Sequence, residues 1–423
     1  MRLSAFIKMN ELRNDLLRIF NASVAAVLPE RAVAEALNGF CPGSGKIIAV
    51  AAGKAAWRMA KAARDALGEK ITRGIVITKY AHSMGEIAGF EIYEAGHPVP
   101  DENGVAATRR AAESVRGLTK EDAVLMLLSG GGSALFELPL VPLKELKTVT
   151  DRLLSCGADI TEINTIRKRL SAVKGGRFAA LASPAKVFTV VLSDVLGDRA
   201  DTIASGPTCA DESTCEEAKE ICRRYALPLS ETAARLLDEE TPKEIPNSVI
   251  RVTGSVKLLC EAAARECALL GYEPRIVTDS LSCEARTAGE MLSELAVVNR
   301  NTDRPLAFIA GGETVVRVTG RGRGGRCQEA CLSAALGLRG LENAALLCAG
   351  SDGTDGPTDA AGAIADGGTV DRMREAGIDA EEALCDNDSY TAFKSIDSLV
   401  ITGPTGTNVN DVSVLLIRPR TRG

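Results

Sequence analysis

The sequence predicts an α/β protein in two domains. Its 423 residues exceed what one ordinary hydrophobic core serves. Its strongest apolar runs are short, unbroken and separated by helical periodicities, the pattern of parallel strands covered on both faces. Aromatic residues make up only 4% while glycines number 40, so the core rests on Ala, Val, Leu and Ile, and many glycines are left for turns and close backbone approaches.

In chain order, residues 9–38 read as one or two amphipathic helices. Ile47 to Ala51 reads as a buried strand that stops at Gly53-Lys54 and opens into a helix near Ala55–Leu67. Ile75–Thr78 and Phe90–Tyr93 read as strands, followed by a helix near Gly104–Val115. Val124–Leu128 is a strongly apolar strand ending in Ser129-Gly130-Gly131-Gly132-Ser133. Helices near Leu143–Leu154 and Asp159–Leu170 precede the strand Val187–Leu192, which ends in Ser193-Asp194. The charged, Pro-containing stretch 211–247 lacks a strand signal, so the domain change is placed near 240, giving domains 1–240 and 241–423. In the second, Val249–Val252, Arg275–Thr278, Leu306–Ala310, Thr314–Val318, Leu346–Ala349, Leu399–Thr402 and Val412–Ile417 read as strands. Helices fall near Val256–Leu270, Glu284–Val298 and Gln328–Leu338.

Composition narrows the function. The net charge of −6 argues against nucleic acid or an anionic membrane as main partner. Twelve scattered cysteines without a CxxC pair, and only two histidines, His82 and His97, exclude a Cys/His zinc site and suggest reduced thiols in a cytoplasmic protein. The first residues mix apolar and charged types, unlike a signal peptide. No apolar run has the length of a membrane span.

Special loops follow several strands, and in parallel sheets ligands sit beyond the carboxyl ends of the strands. Neither Gly45-Lys46 nor Gly53-Lys54 is a P-loop: Phe40 and Ile48 replace the leading glycine, and Ile47 and Ala55 replace Ser/Thr. Gly53-Lys54 still joins a strand to a helix start, where a lysine serves either an anion or merely the surface of a tight turn. The triglycine run offers backbone N–H groups to an anion without Cβ obstruction. Gly320-Arg321-Gly322-Arg323-Gly324-Gly325-Arg326 contains G-x-G-x-x-G, which opens a dinucleotide reading. Its three arginines suit a triphosphate or a carboxylate better. Ser351-Asp352-Gly353-Thr354-Asp355-Gly356-Pro357-Thr358-Asp359 carries three carboxylates as a hard oxygen-ligand cluster suited to Mg²⁺ with a nucleotide, and Asp352 and Asp355, with Asp194 at another strand end, are the metal candidates. The alternative is an Asx-turn loop in which Asp caps N–H groups. Lysines and arginines between Asn164 and Arg177 include an ordinary solvated helix face. His97, in the proline-fixed Gly96–Asp101 loop, is a candidate general base or a structural histidine.

Gly53-Lys54-Ala55-Ala56, Gly96-His97-Pro98-Val99-Pro100, Ser129–Ser133, Ser193-Asp194-Val195, Ser205-Gly206-Pro207-Thr208, Gly311-Gly312-Glu313-Thr314, Gly324-Gly325-Arg326, Ser351–Gly356 and Gly403–Asn408 together resemble the glycerate 2-kinases that carry a MOFRL domain. The resemblance runs in order from about residue 10 to 418, with Cys327 standing where Asn or Asp is expected. It implies a Rossmann-like N-terminal domain, a smaller α/β MOFRL domain and an active site in the cleft between them. It also implies ATP- and Mg²⁺-dependent phosphorylation of D-glycerate at its 2-hydroxyl. Lys54, Arg326 and Asp194 are then the catalytic candidates. Ser129, Gly130, Gly131, Gly132, Ser133, Glu313, Gly324 and Gly325 are the nucleotide-binding ones, and Asp194, Asp352 and Asp355 the metal ligands. The expected partner is glycerate, with no nucleic acid, membrane or nicotinamide cofactor, and a homodimer is left open. The alternative is an NAD(P)H-dependent hydroxypyruvate reductase, which some relatives have been labelled.

Overall fold

The computed structural model describes residues 2–192 and 201–420. It forms two units: Pro29–Thr253, and a discontinuous unit of Met1–Leu28 with Gly254–Gly423.

In the first unit, β1 (Ile47–Ala52), β2 (Ile71–Lys79), β3 (Phe90–Ala95), β4 (Ala123–Leu128), β5 (Lys186–Leu192) and β6 (Ser248–Thr253) form one sheet in the order β3-β2-β1-β4-β5-β6. Every pairing is parallel, as the continuous apolar runs predict. Both β1 and β4 are buried along their whole length. Val50, Ile75, Met126, Phe136 and Phe178 belong to the core beside the sheet, where the Phe136 and Phe178 rings meet edge to face at 5.1 Å. A satellite core under the helices Leu143–Ser155, Ile160–Arg169 and Cys215–Tyr225 gathers Val149, Ile166 and Ile221. The strand order makes β1 and β4 the pair at which chain progression reverses, the place where such sheets bind ligands. Register completes the arrangement: Ala52 lies opposite Leu128, so the loops leaving β1 and β4 emerge side by side.

The boundary at 240 is corrected to 253. The run Val249–Val252 lies in β6, which pairs with β5 and so closes the first sheet rather than opening the second. The helix Arg2–Ala26 also changes sides. It packs on the helix Val256–Leu269 and on the strands Ala344–Gly350 and Asp411–Ile417 of the discontinuous unit, where Arg418 donates to Asp15 Oδ2 at 2.8 Å and the Tyr272 hydroxyl to the same oxygen at 2.7 Å.

That unit holds β7 (Glu273–Leu281), β8 (Leu306–Gly312), β9 (Ala344–Gly350), β10 (Gly362–Asp366), β11 (Leu399–Val400) and β12 (Asp411–Ile417), ordered β11-β10-β9-β12-β8-β7. Only β7–β8 is parallel; the other pairings are antiparallel. Leu332, Leu346, Phe393 and Leu415 lie in its core. Thr314–Val318 is not a sheet strand. It runs extended beside Cys283–Ala285, held by Ala285 N to Val315 O at 2.8 Å and Val315 N to Cys283 O at 3.1 Å. The loop 320–325 therefore lacks the preceding strand that a dinucleotide fingerprint requires. All twelve cysteines are free thiols. Among the described residues no helix is long and apolar enough to cross a membrane.

Candidate active site

In the first unit the loops after β1 and β4 are in contact. Gly53 sits at φ +128°, and a Cβ there would lie 2.2 Å from Ser129 Oγ, so only glycine fits. Lys54 N donates to Gly130 O at 2.9 Å and Ala55 N to Ser129 Oγ at 3.1 Å. Gly131, at φ +84°, meets two side chains: a Cβ there would lie 2.9 Å from His97 Cδ2 and 3.3 Å from Lys54 Cγ. Among the described residues, the N–H groups of Gly130, Gly131 and Ser133 donate no hydrogen bond. Three open donors beside a half-buried lysine form a nest for an anion.

The nest rests on a buried cation. The Lys174 ammonium donates to Ser133 O at 2.9 Å, Phe136 O at 3.1 Å and Ala204 O at 3.3 Å, with Glu137 Oε2 at 3.6 Å. Burial pushes the ammonium down to about 8, against the pull of Glu137. Ser205, at φ +58°, donates from its hydroxyl to Asn164 Oδ1 at 2.8 Å and sits 3.4 Å from Ser133 Oγ. The expectation of a solvated cationic face between Asn164 and Arg177 is thus corrected in part. Lys168, Arg169 and Lys174 are buried, the first two beside Asp211 at 3.0 and 3.8 Å. Asp194 lies outside the described residues.

The discontinuous unit holds the second group. Arg326 opens the helix Arg326–Leu338. Its guanidinium forks onto Asp411, Nε to Oδ2 at 2.6 Å and Nη2 to Oδ1 at 3.0 Å, and Nη1 reaches Glu313 Oε1 at 2.7 Å. Burial alone lowers the guanidinium, but the Asp411 hydrogen bonds and charge hold it well above the usual arginine value. Asp355 accepts Cys327 N at 3.1 Å and Gln328 N at 2.8 Å, so it caps the helix from behind Arg326. Burial pushes its carboxyl up to about 6, the two N–H groups opposing. Asp352 is half-buried, and its Oδ1 accepts Thr354 N at 2.9 Å and Thr354 Oγ1 at 3.0 Å. Its Oδ2 has no donor among the described residues. Asp352 Oδ1 and Asp411 Oδ1 each lie 3.4 Å from the point where Gly350 would carry a Cβ, so the two carboxylates flank one spot. Among the described residues no three His, Cys, Asp or Glu converge as a metal site. A Mg²⁺ carried by a nucleotide needs only one or two carboxylates besides phosphate oxygens, which Asp352 fits and the capped Asp355 fits less well.

The basic loop turns inward over most of its length. Thr319 N and Gly320 N donate to Asn387 Oδ1, both at 2.9 Å, Arg321 N to Asp386 Oδ1 at 2.9 Å, and Arg323 N to Asp388 Oδ1 at 3.0 Å. Arg323 lies over the Tyr390 ring at 4.5 Å. Only the N–H groups of Gly324 and Gly325 within 320–325 stay open among the described residues. Sequence reasoning passed over Asp411 and set Lys174 among cations that include a solvated helix face. Neither has a local signal, although a lysine between Val173 and two glycines sits oddly for a solvated face. Cys327, the departure from the expected Asn or Asp, is a buried core thiol beside Asp355.

Comparison with known proteins agrees with this architecture. Residues 15–238 match the family described as a domain of unknown function (DUF4147), and residues 306–411 match the MOFRL family. A D-glycerate 2-kinase from Thermotoga maritima is 52% identical over 96% of this chain and 98% of its own length. A protein from Agrobacterium vitis, provisionally named a hydroxypyruvate reductase, is 42% identical over 96% of this chain and 94% of its own. The crystal structure of a glycerate kinase from Thermotoga maritima superposes with a TM-score of 0.93 at 51% identity, covering 96% of this chain and 100% of the other. With both family regions matched in order and half the residues shared over nearly the whole length, the chain belongs to the glycerate 2-kinase family with a MOFRL domain.

Proposed function

We propose that this chain transfers the γ-phosphoryl group of ATP to the 2-hydroxyl of D-glycerate, giving 2-phosphoglycerate and ADP. The observation that carries the reading is the nest beside Lys54: open N–H groups on Gly130, Gly131 and Ser133, next to a lysine at a strand-to-helix turn. Phosphoryl transfer needs in-line positioning and positive charge on the equatorial oxygens, and little covalent help from the protein. Lys54 supplies that charge at the first group of residues and Arg326 at the second. Asp411 holds the Arg326 fork in one orientation, and Asp355 anchors the helix end that bears it. The open N–H groups of Gly324 and Gly325 serve the same anion chemistry, with Glu313 bracing the fork. Asp352 is the carboxylate we assign to a nucleotide-borne Mg²⁺, which would supply positive charge to the phosphate groups.

The test is incubation of purified protein with D-glycerate and Mg·ATP, the product identified by ³¹P NMR. An NADH and hydroxypyruvate reaction runs beside it. 2-Phosphoglycerate is expected; 3-phosphoglycerate overturns the regiochemistry, and NADH consumption without ATP turnover overturns the kinase reading. Asp352→Asn is expected to raise the Mg²⁺ concentration for half-maximal rate by about tenfold, and an unchanged Mg²⁺ dependence refutes that ligand.

A further inference from the structure

The proposed transfer leaves the proton of the acceptor hydroxyl without a destination, and one residue at the nest is placed to receive it. His97 follows β3 on the loop Gly96–Asp101. The loop is held from its far end. Asp101 Oδ1 accepts Gly104 N at 2.9 Å, capping the helix Glu102–Ser114, while Asp101 Oδ2 accepts the Tyr80 hydroxyl at 2.7 Å. Gly96 lies against Val99 O, 2.6 Å from where a Cβ would stand. The loop that carries His97 is thereby pinned, and the ring stands with Cδ2 and Nε2 at 2.9 and 3.0 Å from the Cβ position of Gly131, the point that Lys54 Cγ approaches to 3.3 Å.

A histidine retained for structure commonly bonds through a ring nitrogen, as His82 does through Nδ1 to Lys54 O at 3.3 Å. Neither ring nitrogen of His97 makes a hydrogen bond among the described residues, and the ring is only half-buried, so a ligand can reach it. Its charged neighbours favour the neutral form. Burial first, then Lys54, Lys79 and His82, hold the imidazole below its usual range. Asp101, the carboxylate on its own loop, is taken up by Tyr80 and the helix cap.

We infer that His97 is the general base that accepts the hydroxyl proton as the γ-phosphoryl group arrives. The hydroxyl oxygen forms the new P–O bond. The bond from the γ-phosphorus to the β–γ bridging oxygen breaks, and its electron pair leaves with ADP. The O–H proton passes to a free imidazole nitrogen and from there to solvent. The role rests on the kinase reading. A positioned base contributes ~10²–10⁴-fold, and the loose transition state of phosphoryl transfer places this case near the lower end.

The test is the dependence of kcat on pH between about 5 and 9, for wild type, His97→Gln and His97→Ala, with and without added imidazole. Wild type is expected to lose rate on an acid limb below the usual histidine value. His97→Gln is expected to lose ~10²-fold in kcat, to lose that limb and to keep its ATP KM within about threefold. Imidazole is expected to restore part of the rate of His97→Ala, which a purely structural histidine does not allow. A His97→Gln enzyme with wild-type kcat and an intact acid limb overturns the inference, as does a His97→Ala enzyme that imidazole leaves unchanged. If wild type itself makes no phosphoglycerate, the kinase reading falls instead.

Discussion

Two glycine-rich loops of this chain look equally suited to phosphate on paper, yet their backbones face different ways. Around Gly130–Ser133 the N–H groups stay open, and the glycines let His97 and Lys54 close on Gly131. Around Gly320–Arg323 the N–H groups are taken by Asp386, Asn387 and Asp388, and the glycines let those residues press against the loop. A glycine is required in both places, for opposite purposes. In the first loop it clears space for a ligand; in the second it clears space for the protein's own chain. Arginine count misleads in the same way: of the loop's three arginines, Arg323 covers Tyr390, and Arg326 is the one that forks onto a buried carboxylate.

The sharpest break of this comparison removes Lys54 and Arg326. Lys54→Ala and Arg326→Ala are each expected to lower kcat by ~10²-fold or more, while Arg321→Ala, in the inward-turned part of the loop, stays near wild type. Arg326→Lys should recover only part of the rate, because a point charge does not reproduce a planar fork. Steady-state kinetics in varied ATP and varied glycerate provide the check. A large rise in glycerate KM with kcat intact would reassign Arg326 to holding the substrate carboxylate.

A smaller effect separates the glycines. Gly131→Ala places a methyl group against His97 and Lys54 at positive φ, and ATP KM is expected to rise about tenfold, with ~1 kcal/mol of stability lost to the strained backbone. Gly322→Ala drives a methyl group into Asp386 O and Asp388 Cβ, at 2.6 and 2.3 Å. It is expected to cost about 2 kcal/mol of stability with KM unchanged. Thermal melts and ATP titrations of both variants decide the matter; a KM effect from Gly322→Ala would return that loop to the ligand.

The smallest effect on activity comes from the cap behind Arg326. Asp355 titrates near 6 in the fold, above an ordinary aspartate, so the folded state holds its proton more tightly than the unfolded chain. The stability this contributes is full below the ordinary aspartate value and is lost as pH rises through about 6. Asp355→Asn should remove that slope, a difference on the order of 2 kcal/mol between acid and neutral pH, readable from denaturant unfolding at several pH values. Identical slopes in the two proteins would show that the carboxyl titrates normally.

The first sheet was legible because parallel strands buried on both faces leave unbroken apolar runs, as in Ile47–Ala52 and Val124–Leu128. The second was read less well. Thr314–Val318 has the β-branched alternation of a strand, but its neighbours are Cys283–Ala285 rather than the sheet. Gly362–Asp366, short and rich in alanine, gave no signal and is nonetheless β10. At the candidate site, Lys54 and Arg326 were visible because each stands beside glycines at a helix start. Asp411 and Lys174 were not, because their partners lie 85 and 41 residues away, for Arg326 and Ser133. Tertiary contact, not local pattern, gives them their meaning.

The helix Arg2–Ala26 is synthesised well before its seat on Val256–Leu269, β9 and β12. At ~5–20 residues per second, roughly ten seconds to a minute pass at the ribosome before that seat begins to appear. Throughout that time Leu12, Leu16, Ile19 and Phe20, all fully covered in the native state, have no permanent partner. Chaperone capture of nascent chains should therefore concentrate on this helix. Residues 254–420 expressed alone should be rescued by fusing the helix behind residue 420 through a flexible linker.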